Sequence, residues 1–159
     1  MVFQLSAFHF GTHNPHLYSI LDNIDIDTNL NRVNRDSRIE GTVTFQGSWP
    51  DDTGVIGVGA FTEIPTPGVL EDYLLKNVDI DYTVPIFVDS ADYKLRVHSS
   101  DTLKYIAVLW INNSYDLNTI RDIGFYTDPG DPTQPGTVIV PPHSTLPGVD
   151  IIVRFLDIP

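Results

Sequence analysis

The stretch 38–50, RIEGTVTFQGSWP, constrains the fold most. Ile39, Gly41, Val43 and Phe45 alternate with Glu40, Thr42, Thr44 and Gln46. Successive side chains of an extended strand point to opposite faces, so this pattern makes one small or apolar face and one polar face. It predicts a half-buried strand of an antiparallel sheet. Gly47, Pro50 and the pair Asp51-Asp52 end the strand, and Gly54 opens the next run.

The rest of the chain continues in the same style. Residues 55–62 form a near-continuous apolar run containing Gly57 and Gly59, which suits a central strand. Val78, Ile80, Tyr82 and Val84 alternate with Asp79, Asp81 and Thr83. In residues 92–97, Tyr93, Leu95 and Val97 face inward, and residues 103–111 return as an apolar central strand. Residues 112–128 read as a long loop, 137–140 as a short strand and 149–156 as the closing strand. About seven strands from residue 38 onward predict an all-β, two-sheet antiparallel sandwich. The expected core includes Val43, Phe45, Ile56, Val58, Tyr93, Leu95, Ile106, Val108, Trp110, Ile151 and Val153.

Residues 1–37 have a different character. Phe3, Leu5 and Ala7 share one parity, and Val2, Phe8 and Phe10 the other. Ile20, Ile24 and Ile26 then stand among acids in LYSILDNIDID, which reads as a short strand, and a polar, Asn-rich linker follows. The domain expectation is therefore an arm and linker at 1–37 and a sandwich at 38–159, the arm adding strand-forming sequence that the sandwich does not need.

A family resemblance rests on IEGTVTFQGSWP, GVIGVGAF, DYKLRV followed by DTLKYIAVLW, and GVDIIVRF. These segments resemble the prealbumin-like (transthyretin-like) sandwiches, the carboxypeptidase-regulatory-like domains of bacterial surface and secreted proteins. The resemblance covers about residues 38–158. It implies a non-catalytic spacer, adhesion module or structural unit, located outside the cell or on its surface.

Charge narrows the partners. The chain of 159 residues carries 21 acidic and 9 basic side chains, a net charge of −12. Phosphate binding needs a basic face, so nucleic acid and anionic membrane are not expected partners. No apolar run reaches the roughly 20 residues of a membrane span. Residues 1–10 lack the basic start and unbroken apolar core of a signal peptide, so either the protein stays inside the cell or, as the resemblance to exported domains favours, it begins here at a mature or trimmed start. With no cysteine, disulfides and thiolate chemistry are excluded.

Candidate sites follow from residue chemistry. Asp25, Asp27 and Asn29 place hard oxygen ligands at alternate positions, a weak calcium candidate lacking the loop glycine and the bidentate Glu. His9, His13 and His16 are close in sequence, but Gly11 and Pro15 oppose the helix that would align them. Asp128 and Asp131 are accounted for by turn chemistry. Trp49, at a strand end, is the candidate for stacking on sugars. Asn112-Asn113-Ser114 is a glycosylation acceptor sequence. No G-x-S-x-G elbow or comparable nucleophile context is present, and the reading calls for no cofactor and no catalysis.

Two function classes remain. One is a structural subunit of an extracellular fibre, a homo-oligomer in the form of a linear or helical polymer. Its arm, anchored by Phe3, Leu5, Phe8 and Phe10, would add a strand to a neighbouring sandwich. The other is a surface adhesion or carbohydrate-binding module, with polysaccharide as its partner.

Overall fold

In a computed structural model of the protein, residues 37–69, 72–73, 78–97 and 102–155 are described, with the backbone alone at 78–83. The chain divides into two units, Met1–Arg35 and Asp36–Pro159. All that follows concerns the second. The expected arm lies outside the described residues.

The strands in chain order are β1 Ser37–Gln46, β2 Thr53–Phe61, β3 Val78–Val84, β4 Ser90–Val97, β5 Thr102–Leu103, β6 Tyr105–Asn112, β7 Arg121–Phe125, β8 Thr127–Asp128, β9 Asp131–Pro135, β10 Val138–Ile139, β11 Thr145–Leu146 and β12 Ile151–Arg154. Two sheets dominate. The first has β1 at its centre, with β4 antiparallel on one edge and β11 and β12 parallel on the other. The second is antiparallel, in the order β3-β2-β6-β7. Two short ribbons, β5 with β10 and β8 with β9, complete the pairing. The all-β sandwich expected from the sequence is therefore present, with a mixed first sheet in which the closing strand runs parallel to the first.

The core forms where the inner faces of the two sheets meet. Ile39, Val43 and Phe45 of β1 join Tyr93, Leu95 and Val97 of β4, and Ile151 and Val153 of β12. Opposite them lie Ile56, Val58 and Ala60 of β2, Ile106, Val108 and Trp110 of β6, and Ile123 of β7. All eleven residues expected in the core are buried. The outer face of the second sheet is apolar and buried as well, through Val55, Phe61, Tyr105, Ala107, Leu109 and Ile111. Burial on both faces accounts for the continuous apolar runs of β2 and β6.

The stretch expected to be a long loop after Asn112 is instead largely structured. Asp116 caps a short 3-10 turn, Leu117–Thr119, by accepting from Asn118 N, and β7 follows. The register on β6 shifts between Val108 and Leu109. That bulge interrupts the alternation that would have marked β7 as a strand in the sequence. No helix among the described residues is long and apolar enough to cross a membrane.

One crossing fixes the first sheet. From Leu146 to Ile151 there are five steps, against four from Ile39 to Val43 on the partner, so β11 and β12 form one strand interrupted by a bulge. At the interruption Val149 N donates to Glu40 O (3.1 Å), and Asp150 Oδ1 accepts from Thr42 N (2.8 Å). The Val149 carbonyl turns inward over Gly41 and accepts the Tyr93 hydroxyl at 2.6 Å. A Cβ on Gly41 would lie 2.0 Å from Val149 O. Gly41→Ala is therefore expected to destabilise by about 3 kcal/mol, the upper end of ordinary overpacking. Gly148→Ala, where φ is +81° and nothing lies within 4 Å, should cost only about 1 kcal/mol. Denaturant midpoints of the two variants, measured with an unchanged slope, check this difference.

Candidate functional site

Three surfaces of the sandwich carry more than packing. The first is an aromatic cluster at one end. Trp49 follows β1, and its ring centroid lies 4.4 Å from Phe45, 4.7 Å from Phe155 and 5.6 Å from Phe87. Its indole N–H donates to Val88 O at 3.1 Å. Trp49 is half-buried, with its polar handle already used inside the fold. The aromatic that this end presents to solvent is Phe87, 59% exposed, with a left-handed φ of 59°. Bulky side chains rarely adopt that conformation, so the fold holds Phe87 outward at a local energetic cost.

The second surface lies on the outer face of the β3-β2-β6-β7 sheet. Asp122 enters it from β7, and its two oxygens accept the hydroxyls of Tyr73 (2.6 Å) and Tyr105 (2.7 Å). Tyr73 packs edge-on against Phe61 at 6.0 Å. Burial first, and then the neighbouring Asp122 carboxylate, push both phenols well above the ordinary tyrosine range. Both therefore remain protonated donors at neutral pH and have no character of a base or nucleophile. On the opposite face of the same strand pair, the Arg121 guanidinium sits 4.6 Å from the Trp110 ring, whose indole N–H donates to Thr53 Oγ1 at 3.1 Å.

The third surface is the β4 edge and outer face of the first sheet. Phe45 N donates to Asp89 O, which fixes the phase of the β1–β4 ladder. Odd-numbered residues of β4 bond to β1, so the N–H and C=O groups of Asp92, Lys94 and Arg96 point away from it. Among the described residues β4 pairs with no other strand. On the far side of the sandwich β7 and β12 approach closely. A Cβ at Gly124 would lie 3.0 Å from Ile152 O, and on the near side β3 of the second sheet likewise runs close to β4, without a ladder between them.

The outer face beside that edge gathers positive charge on an acidic chain. Arg38, Lys94, Arg96 and Arg154 all lie on it and are exposed. Lys94 Nζ pairs with Glu40 Oε1 at 2.9 Å, and Asp92 accepts from Thr42 Oγ1 at 2.8 Å. Arg38 stands directly across from Arg96 in a non-hydrogen-bonded pair, where cross-strand side chains come closest. Neither guanidinium makes an ion pair among the described residues.

The remaining sequence candidates fall as follows. Asn112 ends β6, half-buried, and its side-chain oxygen accepts from Ser114 Oγ (2.8 Å) and Asp116 N (3.3 Å). Asp128 accepts from Gly130 N, and Asp131 from the backbone and hydroxyl of Thr133, so both acids serve turns. Thr133 also holds the fully exposed Asp131 carboxyl below its ordinary range. Phe3, Leu5, Phe8 and Phe10, the calcium candidates Asp25, Asp27 and Asn29, and His9, His13 and His16 lie outside the described residues. Among the described residues no group of three or more His, Asp or Glu is placed to hold a metal ion.

Sequence reasoning missed Phe87 and the Arg38–Arg96 pair. The signal for the arginines was present, since Arg38 shares its parity with Glu40 and Arg96 with Lys94. Bringing them together requires the β1–β4 register. Comparison with family models, curated proteins and solved structures gives no match.

The tyrosines generate a pH prediction. Tyr73, Tyr93 and Tyr105 are all raised above the free value of 10.0, with burial the largest cause in each. A raised phenol binds its proton more tightly in the folded state than in the unfolded one. The stability this provides is complete below about pH 10 and is lost as the pH rises further. Denaturant midpoints should hold steady to about pH 9.5 and then fall, with these tyrosines ionising only as the protein unfolds. Normal titration of all seven tyrosines in a folded protein would contradict it.

Proposed function

We propose that this chain is a non-enzymatic structural subunit of an extracellular fibre or surface appendage. Its sandwich is read as prealbumin-like, and the N-terminal arm of one copy adds a strand to the sandwich of the next. The observation that carries this reading is the β4 edge, whose outward backbone groups have no strand partner among the described residues. An unpaired edge is a template for strand addition, because main-chain hydrogen bonds supply affinity and alternating side chains set register. A head-to-tail contact of this kind does not close on itself, and it propagates as a linear polymer. Phe3, Leu5, Phe8 and Phe10 are the anchors in this reading, each contributing roughly 1.5–3 kcal/mol if fully buried at the joint.

Phe87 supports a second reading, a carbohydrate-binding or adhesion module on the cell surface. An exposed aromatic held in a strained conformation beside Trp49 offers a platform for a sugar ring. In that case Phe87→Ala would abolish polysaccharide retention and leave the oligomeric state unchanged.

The test of the fibre reading is deletion of residues 1–10. The shortened protein should keep its β circular dichroism and its cooperative unfolding, yet form no fibres under negative stain where the full chain does. A full chain that remains a discrete monomer at high concentration, or a deletion that simply unfolds the sandwich, would overturn the reading.

A further inference from the structure

The arm's aromatic anchors leave open which part of it pairs with the β4 edge. We infer that the segment 20–27, ILDNIDID, of one copy pairs with β4 of the next copy, its acids lying against Arg96 and Arg38. This inference rests on the fibre reading and makes its joint specific.

The argument is one of register and charge. A strand laid on the edge of β4 continues both faces of the first sheet. On one face its side chains extend the buried row of Tyr93, Leu95 and Val97, and on the other the exposed row of Asp92, Lys94 and Arg96, which is basic toward its Arg96 end. An occupant must therefore alternate apolar residues with residues that accept positive charge. Ile24-Asp25-Ile26-Asp27 has that alternation, with two isoleucines on one parity and two aspartates on the other. Slipping the register by one residue would bury the acids beside Leu95 and leave the isoleucines against arginine, so the pattern selects a single phase.

The sandwich supplies the complementary charge at the right place. Arg38 and Arg96 face each other across adjacent strands, a like-charge arrangement that is unfavourable as it stands. The Glu40–Lys94 pair shows the compensated alternative one step further along the same ladder. An aspartate on a strand added outside β4 would stand next to Arg96 and do for the arginine pair what Glu40 does for Lys94. Such cross-strand charge pairs are individually worth about 0.2–1 kcal/mol. Their contribution here is mainly to phase and partner choice, while the isoleucines and main-chain bonds hold the joint.

Charge exchange and cross-linking test this in the full chain. Arg96→Glu should raise the critical concentration for fibre formation roughly fivefold or more, and Asp25→Lys with Asp27→Lys should do the same. Combining the three should restore assembly toward the unsubstituted level. Lys104→Glu, exposed on a different part of the surface, should change nothing. Because the chain has no cysteine, Arg96→Cys in one copy and Asp25→Cys or Asp27→Cys in another give a direct geometric readout. Mixing them under oxidation should yield a disulfide between chains. Fibres that form normally with Arg96→Glu, with no such cross-link, would overturn this joint and leave the fibre reading standing. A doubly substituted chain that closes only within itself would place the segment in cis and overturn it too. Cross-links formed solely between two Arg96→Cys chains would mean that β4 pairs with β4, with the same consequence. Absence of any polymer from the full chain would remove the fibre reading and this inference together.

Discussion

A backbone oxygen occupies the space where residue 41 would carry a side chain. The Val149 carbonyl turns in beneath β1, receives the Tyr93 hydroxyl, and is tolerated only because position 41 is glycine. This crossing lets one interrupted strand, β11 and β12, run along the whole of β1 despite the extra residue between them. Asp150 takes up the Thr42 N–H that the interruption would leave without a backbone partner. β1 can then serve as a central strand with partners on both edges, and the closing strand delivers Ile151, Val153 and Phe155 to the core. Leaving the buried Val149 carbonyl unpaired would cost on the order of 1–3 kcal/mol. The local chemistry of this crossing thus sets the register of the closing strand on β1.

Much of this fold was legible because burial imposes periodicity. The alternation in β1 and β4 showed which side chains face inward, and those residues are buried as expected. β2 and β6 were legible as central strands but not in their inward parity, since Phe61, Ala107 and Leu109 on the outer face are as buried as Val58 and Val108 on the inner one. β7 was hidden by its bulge, which places Asp122 and Ile123 out of simple alternation. The parallel pairing of β12 with β1 could not be read from either strand alone, because register between distant segments leaves no mark within each of them.

The interaction surfaces show the same division. Trp49 stood out in the sequence as a strand-end aromatic. Its indole is spent on Val88 and its ring on three phenylalanines, and exposure passes to Phe87, whose left-handed backbone no residue pattern announces. Asp122 looked like one acid among many and proves to be the common acceptor of two buried tyrosines. The arginines of β1 and β4 become a site only when the ladder sets them side by side.

The edge of β4 joins these observations to the proposed function. The two sheets approach each other on both sides, β12 to β7 and β4 to β3. On the β4 side the backbone groups of Asp92, Lys94 and Arg96 point away from β1, beside the exposed Lys94, Arg96 and Arg38 side chains. Amide hydrogen exchange at those three residues, compared between dispersed protein and fibres, tests the central claim most directly. The account expects fast exchange in the dispersed protein and strong protection in the fibre, confined on β4 to these outward amides. Protection already complete in the dispersed protein, or unchanged on assembly, would contradict it.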